Sequence, residues 1–145
     1  MDIRHILARK GNAVHTIGPR ATVGEAVARM CETGISALVV SEDGSTIAGI
    51  ISDRGIIRAI AGSGTDVMRE TVSTVMTAEV ITCTPADSIE SVMQTMTERR
   101  IRHIPVTDDN GLLNGLISIG DAVKNRLDEL GEQTEAMREY ITGTY

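Results

Sequence analysis

The chain is 145 residues long and nearly devoid of aromatic side chains, with no tryptophan, no phenylalanine and only Tyr140 and Tyr145. Apolar residues make up 41% of it, enough for a real core, but that core must be built from Ile, Val, Leu, Met and Ala. A planar ligand would therefore lie between branched aliphatic side chains rather than on a stacked ring. The same scarcity argues against single-stranded nucleic acid, whose capture leans on aromatic platforms. Positive charge is in deficit too: 14 Lys and Arg against 20 Asp and Glu leave a net charge of −6. Such a balance opposes a nucleic-acid backbone as partner, although a few local cations would still suffice for a small nucleotide.

Cysteine is equally sparse. Cys31 and Cys83 stand far apart, without CxxC or Cys/His spacing, so a zinc site is not indicated. Both read as small buried hydrophobes of a reduced compartment. No run of 18 apolar residues occurs, and the N-terminus carries no signal-peptide hydrophobic region, so the expected setting is soluble and cytoplasmic, away from membranes. Catalytic motifs are also missing. The chain has no nucleophile elbow, Walker-type glycine loop, HExxH or supported acid–base pair, and the reading is a binding protein rather than an enzyme.

What the chain does have is a repeat. Laid over itself with Pro19 on Pro85, an offset of 66, it keeps register without a gap. Val14/Val80, Thr16/Thr82, Met30/Met96, Ile35/Ile101, Val40/Val106, Gly49/Gly115, Ile51/Ile117 and Ser52/Ser118 all coincide. Half-sized copies cannot each bury a core alone, so two of them are expected to pair face to face around a pseudo-twofold axis, with two related clefts.

Hydrophobic period and turn chemistry predict an α/β fold of two β-α-β-β-α units between flanking helices. An N-terminal helix over residues 1–11 precedes repeat 1 (12–62), a linker (63–77), repeat 2 (78–127) and a C-terminal helix (128–145). Repeat 1 reads as strand Val14–Ile17, a helix capped by Thr22 with Glu25 in the capping-box position, strands Ala37–Val40 and Ile47–Ile51, and a helix from Asp53 to Ile60. Gly62-Ser63-Gly64 closes it. Repeat 2 reads as strand Val80–Cys83, a helix begun by Ser88, strands Ile104–Val106 and Leu113–Ile117, and a helix from about Gly120. After Gly131 the tail is helical again, and its stripe of Met137, Tyr140 and Ile141 must be buried on its own domain or on a second subunit.

Each copy ends its hairpin with Gly-x-Ile-Ser and passes directly into a helix: Gly49-Ile50-Ile51-Ser52 and Gly115-Leu116-Ile117-Ser118. A serine beside the free N–H groups of a helix start can cap that helix or contact a phosphate or ribose. Asp121, three residues after Ser118, can accept two hydrogen bonds from vicinal hydroxyls. In repeat 1 that position is Gly55, and Asp53 falls two residues early. His5, His15 and the methionines read as ordinary packing or surface residues, and Asp108-Asp109 as turn formers.

Taken together, Met96-Thr97-Glu98-Arg99-Arg100-Ile101-Arg102-His103-Ile104-Pro105-Val106 and the following Gly-Leu-Ile-Ser-Ile-Gly-Asp closely resemble the cystathionine-β-synthase (CBS) domain. Two such copies resemble a CBS pair, or Bateman module, over residues 10–126, with flanks like those of small stand-alone CBS-pair proteins. The resemblance implies binding of an adenosyl ligand (AMP, ADP, ATP, NAD(H) or S-adenosylmethionine) between the copies, as a regulatory signal of energy or redox state for an unidentified partner protein. It implies Ser118 and Asp121 as ribose and phosphate contacts, and Lys10, Asn12, Ile35, Ser36 and Ala37 as the adenine wall. Arg102 and His103 would reach phosphates of either cleft, with His103 near pKa ~6.5 adding pH dependence. Ser52 and Arg54 would serve a first cleft weakened by Gly55. A homodimer of pairs is the association the family implies. The alternative is a constitutive interaction scaffold with degenerate clefts.

Overall fold

Thr22, Ser88 and Ser118 each stand one residue before an apolar stripe, and each closes a helix start. Thr22 Oγ1 accepts the Glu25 N–H at 3.1 Å while the Glu25 carboxylate takes the Thr22 N–H at 2.9 Å, a complete capping box. Around these starts the computed structural model, which describes residues 1–143, arranges six α-helices and five strands. Helix α1 (Ile3–Lys10) leads into repeat 1: β1 (Thr16–Ile17), α2 (Val23–Thr33), β2 (Ala37–Val40), β3 (Gly49–Ser52) and α3 (Asp53–Ser63). A 3-10 turn (Thr65–Arg69) and the one-turn helix α4 (Val72–Val75) join it to repeat 2: α5 (Ile89–Arg99), β4 (His103–Thr107), β5 (Leu113–Ser118) and α6 (Ile119–Thr142). In repeat 1, β2 pairs antiparallel with β3 and parallel with β1, whereas β4 and β5 form a sheet of two.

Strand β1 keeps only Thr16–Ile17 of the expected Val14–Ile17, and β3 covers Gly49–Ser52 rather than Ile47–Ile51; three further elements differ from the sequence reading. The expected strand Val80–Cys83 shrinks to a single bridge between Cys83 and Val106. The cause is Pro105. Its counterpart Val39 donates its N–H to His15 O at 3.4 Å, and proline has no N–H to give. Helix α3 runs past Ile60 to Ser63 and stops at Gly64, which takes φ +78°. Gly131 does not divide the C-terminal region; α6 is one helix of 24 residues. Glycine costs a helix interior only about 1 kcal/mol, which strong helix formers on both sides outweigh. Cys31 is exposed and Cys83 buried, against an expectation of burial for both. Burial, with the Asp87 charge, pushes the Cys83 thiol up to about 12.

The cores show how the copies are joined. One contains Ile89, Val92, Met96, Ile104, Val106 and Ile117 of repeat 2 together with Ile3, Ile6 and Leu7 of α1. The other contains Ile17, Val23, Met30, Leu38, Val40 and Ile51 of repeat 1 with Val72 of α4. Each repeat is thus completed by the helix that precedes the other. Backbone bonds repeat this exchange in pairs: Ile3 N–H to Asp87 O and Arg4 N–H to Pro85 O match Val72 N–H to Ala21 O and Ser73 N–H to Pro19 O, at 2.7–3.0 Å. The paired glycines make room for it. A Cβ at Gly115 would sit 2.6 Å from Leu7 Cδ2, and one at Gly49 2.5 Å from Met76 Sδ and 2.8 Å from Thr77 O.

The far end of α6 has no such seat. Met137, Tyr140 and Ile141 are 60%, 71% and 74% exposed, so the stripe is not buried on its own domain. Tyr145 lies outside the described residues. Among those residues no helix is long and apolar enough to cross a membrane.

Adding a Cβ at either glycine is expected to destabilise the chain. Gly49→Ala meets the Met76 side chain and Thr77 O and should cost about 1–3 kcal/mol through overpacking. Gly115→Ala meets Leu7 and also strains a backbone at φ +159°, so it should cost a similar amount. Urea unfolding of the two variants measures this, and a loss below about 0.5 kcal/mol in either would refute the close-approach account.

Candidate functional site

Two clefts open between the repeats, related by the same offset that relates the sequences. The first occupies about 440 Å³ between segment 13–15 and residues 34–37, which lead into β2, of repeat 1 and the β5–α6 junction of repeat 2. Ser118 and Asp121 form a capping box at the start of α6: Ser118 Oγ accepts the Asp121 N–H at 3.1 Å, and Asp121 Oδ2 accepts the Ser118 N–H at 2.9 Å. The same oxygen accepts Lys10 Nζ at 2.7 Å, and Lys10 also donates to Leu116 O at 2.7 Å. Asp121 Oδ1 carries no hydrogen bond among the described residues. Partial burial pushes the Asp121 carboxyl up, but the Lys10 and Ser118 hydrogen bonds outweigh it and hold the group below the usual carboxylate range.

Of the residues expected here, Lys10, Ile35, Ser36, Ala37, Ser118, Asp121 and His103 do line this cleft. Lys10 does so as the ion-pair partner of Asp121, brought over by α1, rather than as a wall for a base. Asn12 does not line it; its amide donates to Asn114 O at 2.9 Å and ties the chain after α1 to β5. Val14, Gly34, Leu116 and His15 belong to the cleft and were not expected there. For these the signal was available, since the segments next to Ile35 and Ser118 must share their surroundings.

The second cleft, of about 320 Å³, lies at the β3–α3 junction. Ser52 and Arg54 line it as expected, and Ser52 Oγ still caps its helix by accepting the Gly55 N–H at 3.2 Å. Gly55 returns nothing, so the capping box of the other cleft is half absent here. Arg102 lines this cleft alone and not both. Its Nη2 donates to Asp53 Oδ1 at 2.7 Å, which turns the guanidinium toward α3. Arg58, Arg99 and Arg100 join it and went unanticipated. Arg100 is the one non-glycine residue with positive φ among the described residues (φ 55°, ψ 44°). Its counterpart Gly34 adopts the same left-handed cap at φ 70°. An L-residue there costs on the order of 1 kcal/mol relative to glycine.

His103 is shared by the two clefts, and its Nε2 lies 3.3 Å from Ser36 Oγ. Burial lowers its pKa below 6.5, and the neighbouring Arg102 lowers it further, against the opposing charges of Asp53 and Asp121. It is therefore a neutral ring at pH 7, a hydrogen-bonding group rather than a cation. A base whose pKa falls on folding costs stability wherever the unfolded chain is protonated and the folded one is not. Its native environment is fully tolerated above about pH 6.5, and stability is lost as pH falls below that value toward the lower folded pKa. In His103→Gln the midpoint of urea unfolding should fall less between pH 7.5 and 5.5 than in the parent chain. Identical pH slopes would contradict this assignment.

The comparisons with known proteins agree with this geometry. The family model for the CBS domain matches residues 3–62 and again 72–128. The chain is 40% identical over 128 residues to the CBS domain-containing protein CBSX3, mitochondrial, of Arabidopsis thaliana, covering 86% of this chain and 62% of that one. It thus spans less than two thirds of that relative's length. Among solved structures, the CBS-domain containing protein ATU1752 from Agrobacterium tumefaciens superposes with a TM-score of 0.82 at 38% identity, covering 87% of this chain and 99% of the other. The CBS domain protein PAE2072 from Pyrobaculum aerophilum, solved in complex with AMP, shares the fold at a TM-score of 0.72 and 22% identity, over 83% of this chain and 89% of its own. Two interlocked copies, each completed by the helix that precedes the other, therefore form a tandem pair, and the chain belongs to the CBS-domain family.

Proposed function

We propose that the Asp121 cleft binds the ribose of an adenosyl ligand (AMP, ADP, ATP, NAD(H) or S-adenosylmethionine) and that occupancy regulates a partner protein. The observation that carries this is the half-committed carboxylate. Asp121 is fixed by Ser118 N–H and Lys10 through Oδ2, while Oδ1 keeps its accepting capacity. Vicinal hydroxyls need such an acceptor. The base would lie between Val14, Ile35 and Ala37, an aliphatic slot consistent with the dearth of aromatic rings. Phosphate would meet Lys10 and the N-terminus of α6, where the helix dipole favours negative charge. That PAE2072 holds AMP on the same fold supports the reading.

The output follows from α6. Its 24 residues rise about 36 Å from the cleft to the exposed Met137, Tyr140 and Ile141. A ligand that bridges its first turn to repeat 1 sets the pose of the whole rod, by as much as its affinity differs between two poses. We assign the apolar stripe to a second copy of the chain, which makes the working unit a homodimer. The reaction is binding, with no bond made or broken.

Melting the protein with millimolar AMP, ADP, ATP, NAD, NADH and S-adenosylmethionine tests the reading. A ligand at a hundredfold excess over its Kd adds about 2.7 kcal/mol, or roughly 5–10 °C at this size. Asp121→Asn, which keeps a capping acceptor, is expected to abolish most of that shift. No shift with any of them would leave the interaction-scaffold reading in front.

A further inference from the structure

We infer that the Gly55 cleft is a second site of different chemistry: it binds a small oligophosphate through arginines and needs no ribose. It is a separate cleft that shares only His103 with the Asp121 cleft, and it does not rest on the reading above.

The charge distribution is the first ground. Five arginines, Arg54, Arg58, Arg99, Arg100 and Arg102, line one cleft of about 320 Å³ against a single lining acid, Glu79. This happens in a chain with a net charge of −6. Arg102 is paired with Asp53, but the side chains of Arg54, Arg58, Arg99 and Arg100 have no hydrogen bond or ion pair among the described residues. Elsewhere Arg4, Arg9 and Arg126 find carboxylates, while Arg20, Arg69 and Arg138 are unpaired among the described residues but line neither cleft. Four exposed arginines without a side-chain partner thus line one hollow, and an anion that joins them relieves the repulsion of their like charges.

The second ground is that two of these arginines stand where the backbone disfavours them. Arg54 occupies the first turn of α3, the positive end of the helix dipole, where a cation is unfavourable. Arg100 holds the left-handed cap that Gly34 fills in the other copy. Residues kept against local preference, both lining one cleft, mark a site whose occupant compensates them. The third ground is what the cleft lacks: Gly55 replaces the carboxylate that would hold vicinal hydroxyls, and Arg102 occupies Asp53. Guanidinium forks match phosphate oxygens bidentately, and this concave volume suits a few linked phosphates better than an extended acidic chain.

The test is isothermal titration of the whole protein with inorganic triphosphate at low and moderate salt. Arg100→Gly and Arg54→Ala should each weaken binding about tenfold, the loss of one charge-assisted contact. Arg100→Gly removes backbone strain, so it should melt within about 2 °C of the parent or above it, which separates lost binding from lost folding. Asp121→Asn should leave triphosphate affinity unchanged, and adenosine should not displace it. Binding that survives both arginine changes, or that disappears in Asp121→Asn, would overturn the proposal. So would a hexaglutamate peptide that binds as tightly as triphosphate, since the site would then be one for acidic peptides.

Discussion

Neither repeat closes its own core: each takes its missing wall from the helix that precedes the other. Ile3, Ile6 and Leu7 seal repeat 2, and Val72 with its neighbours seals repeat 1. Burying three aliphatic side chains such as those of α1 is worth roughly 5–9 kcal/mol of apolar transfer, comparable with the whole net stability of a small domain. The repeats therefore cannot separate without exposing both cores. The pairing that creates the clefts is enforced by the same contacts that create the cores. Lys10 shows the economy of this arrangement, since the helix that fills the core of repeat 2 also delivers the ammonium that fixes Asp121.

The exchange imposes symmetry on the backbone, and a handful of side chains then break it. Gly34, Ser36 and Asp121 define one cleft; Arg100, Arg102 and Gly55 stand at the matching places of the other. One cleft pairs a single ammonium with a single carboxylate and keeps an acceptor for hydroxyls. The other gathers arginines and has glycine at the place of that carboxylate. His103, a neutral and half-buried ring between them, is the residue that lines both clefts.

How much of this could be read from the sequence depended on the range of the forces involved. Capping at Thr22, Ser88 and Ser118, the hairpins and the offset of 66 are local or repeated signals, and all of them were legible. The strand at Val80–Cys83 was lost to Pro105, which acts from the neighbouring strand and is silent in the local pattern. Gly131 resembled a stop because glycine permits one, yet nothing there requires it. The bond from Lys10 to Asp121 spans most of the chain, and no periodicity encodes it. The arginine cluster lay in view within Arg99-Arg100-Ile101-Arg102, but its gathering with Arg54 and Arg58 needed the fold.

The two clefts share an origin but present different side chains, and the proposed division of ligands between them follows from that difference. Backbone amide NMR of the whole chain, titrated separately with AMP and with inorganic triphosphate, tests this most directly. AMP is expected to move the amides of Ile35, Ser36, Leu116, Ser118 and Asp121, and triphosphate those of Arg54, Gly55, Arg100 and Arg102. If both ligands move one and the same set, the clefts are not divided between sugar and phosphate, and the central claim is wrong.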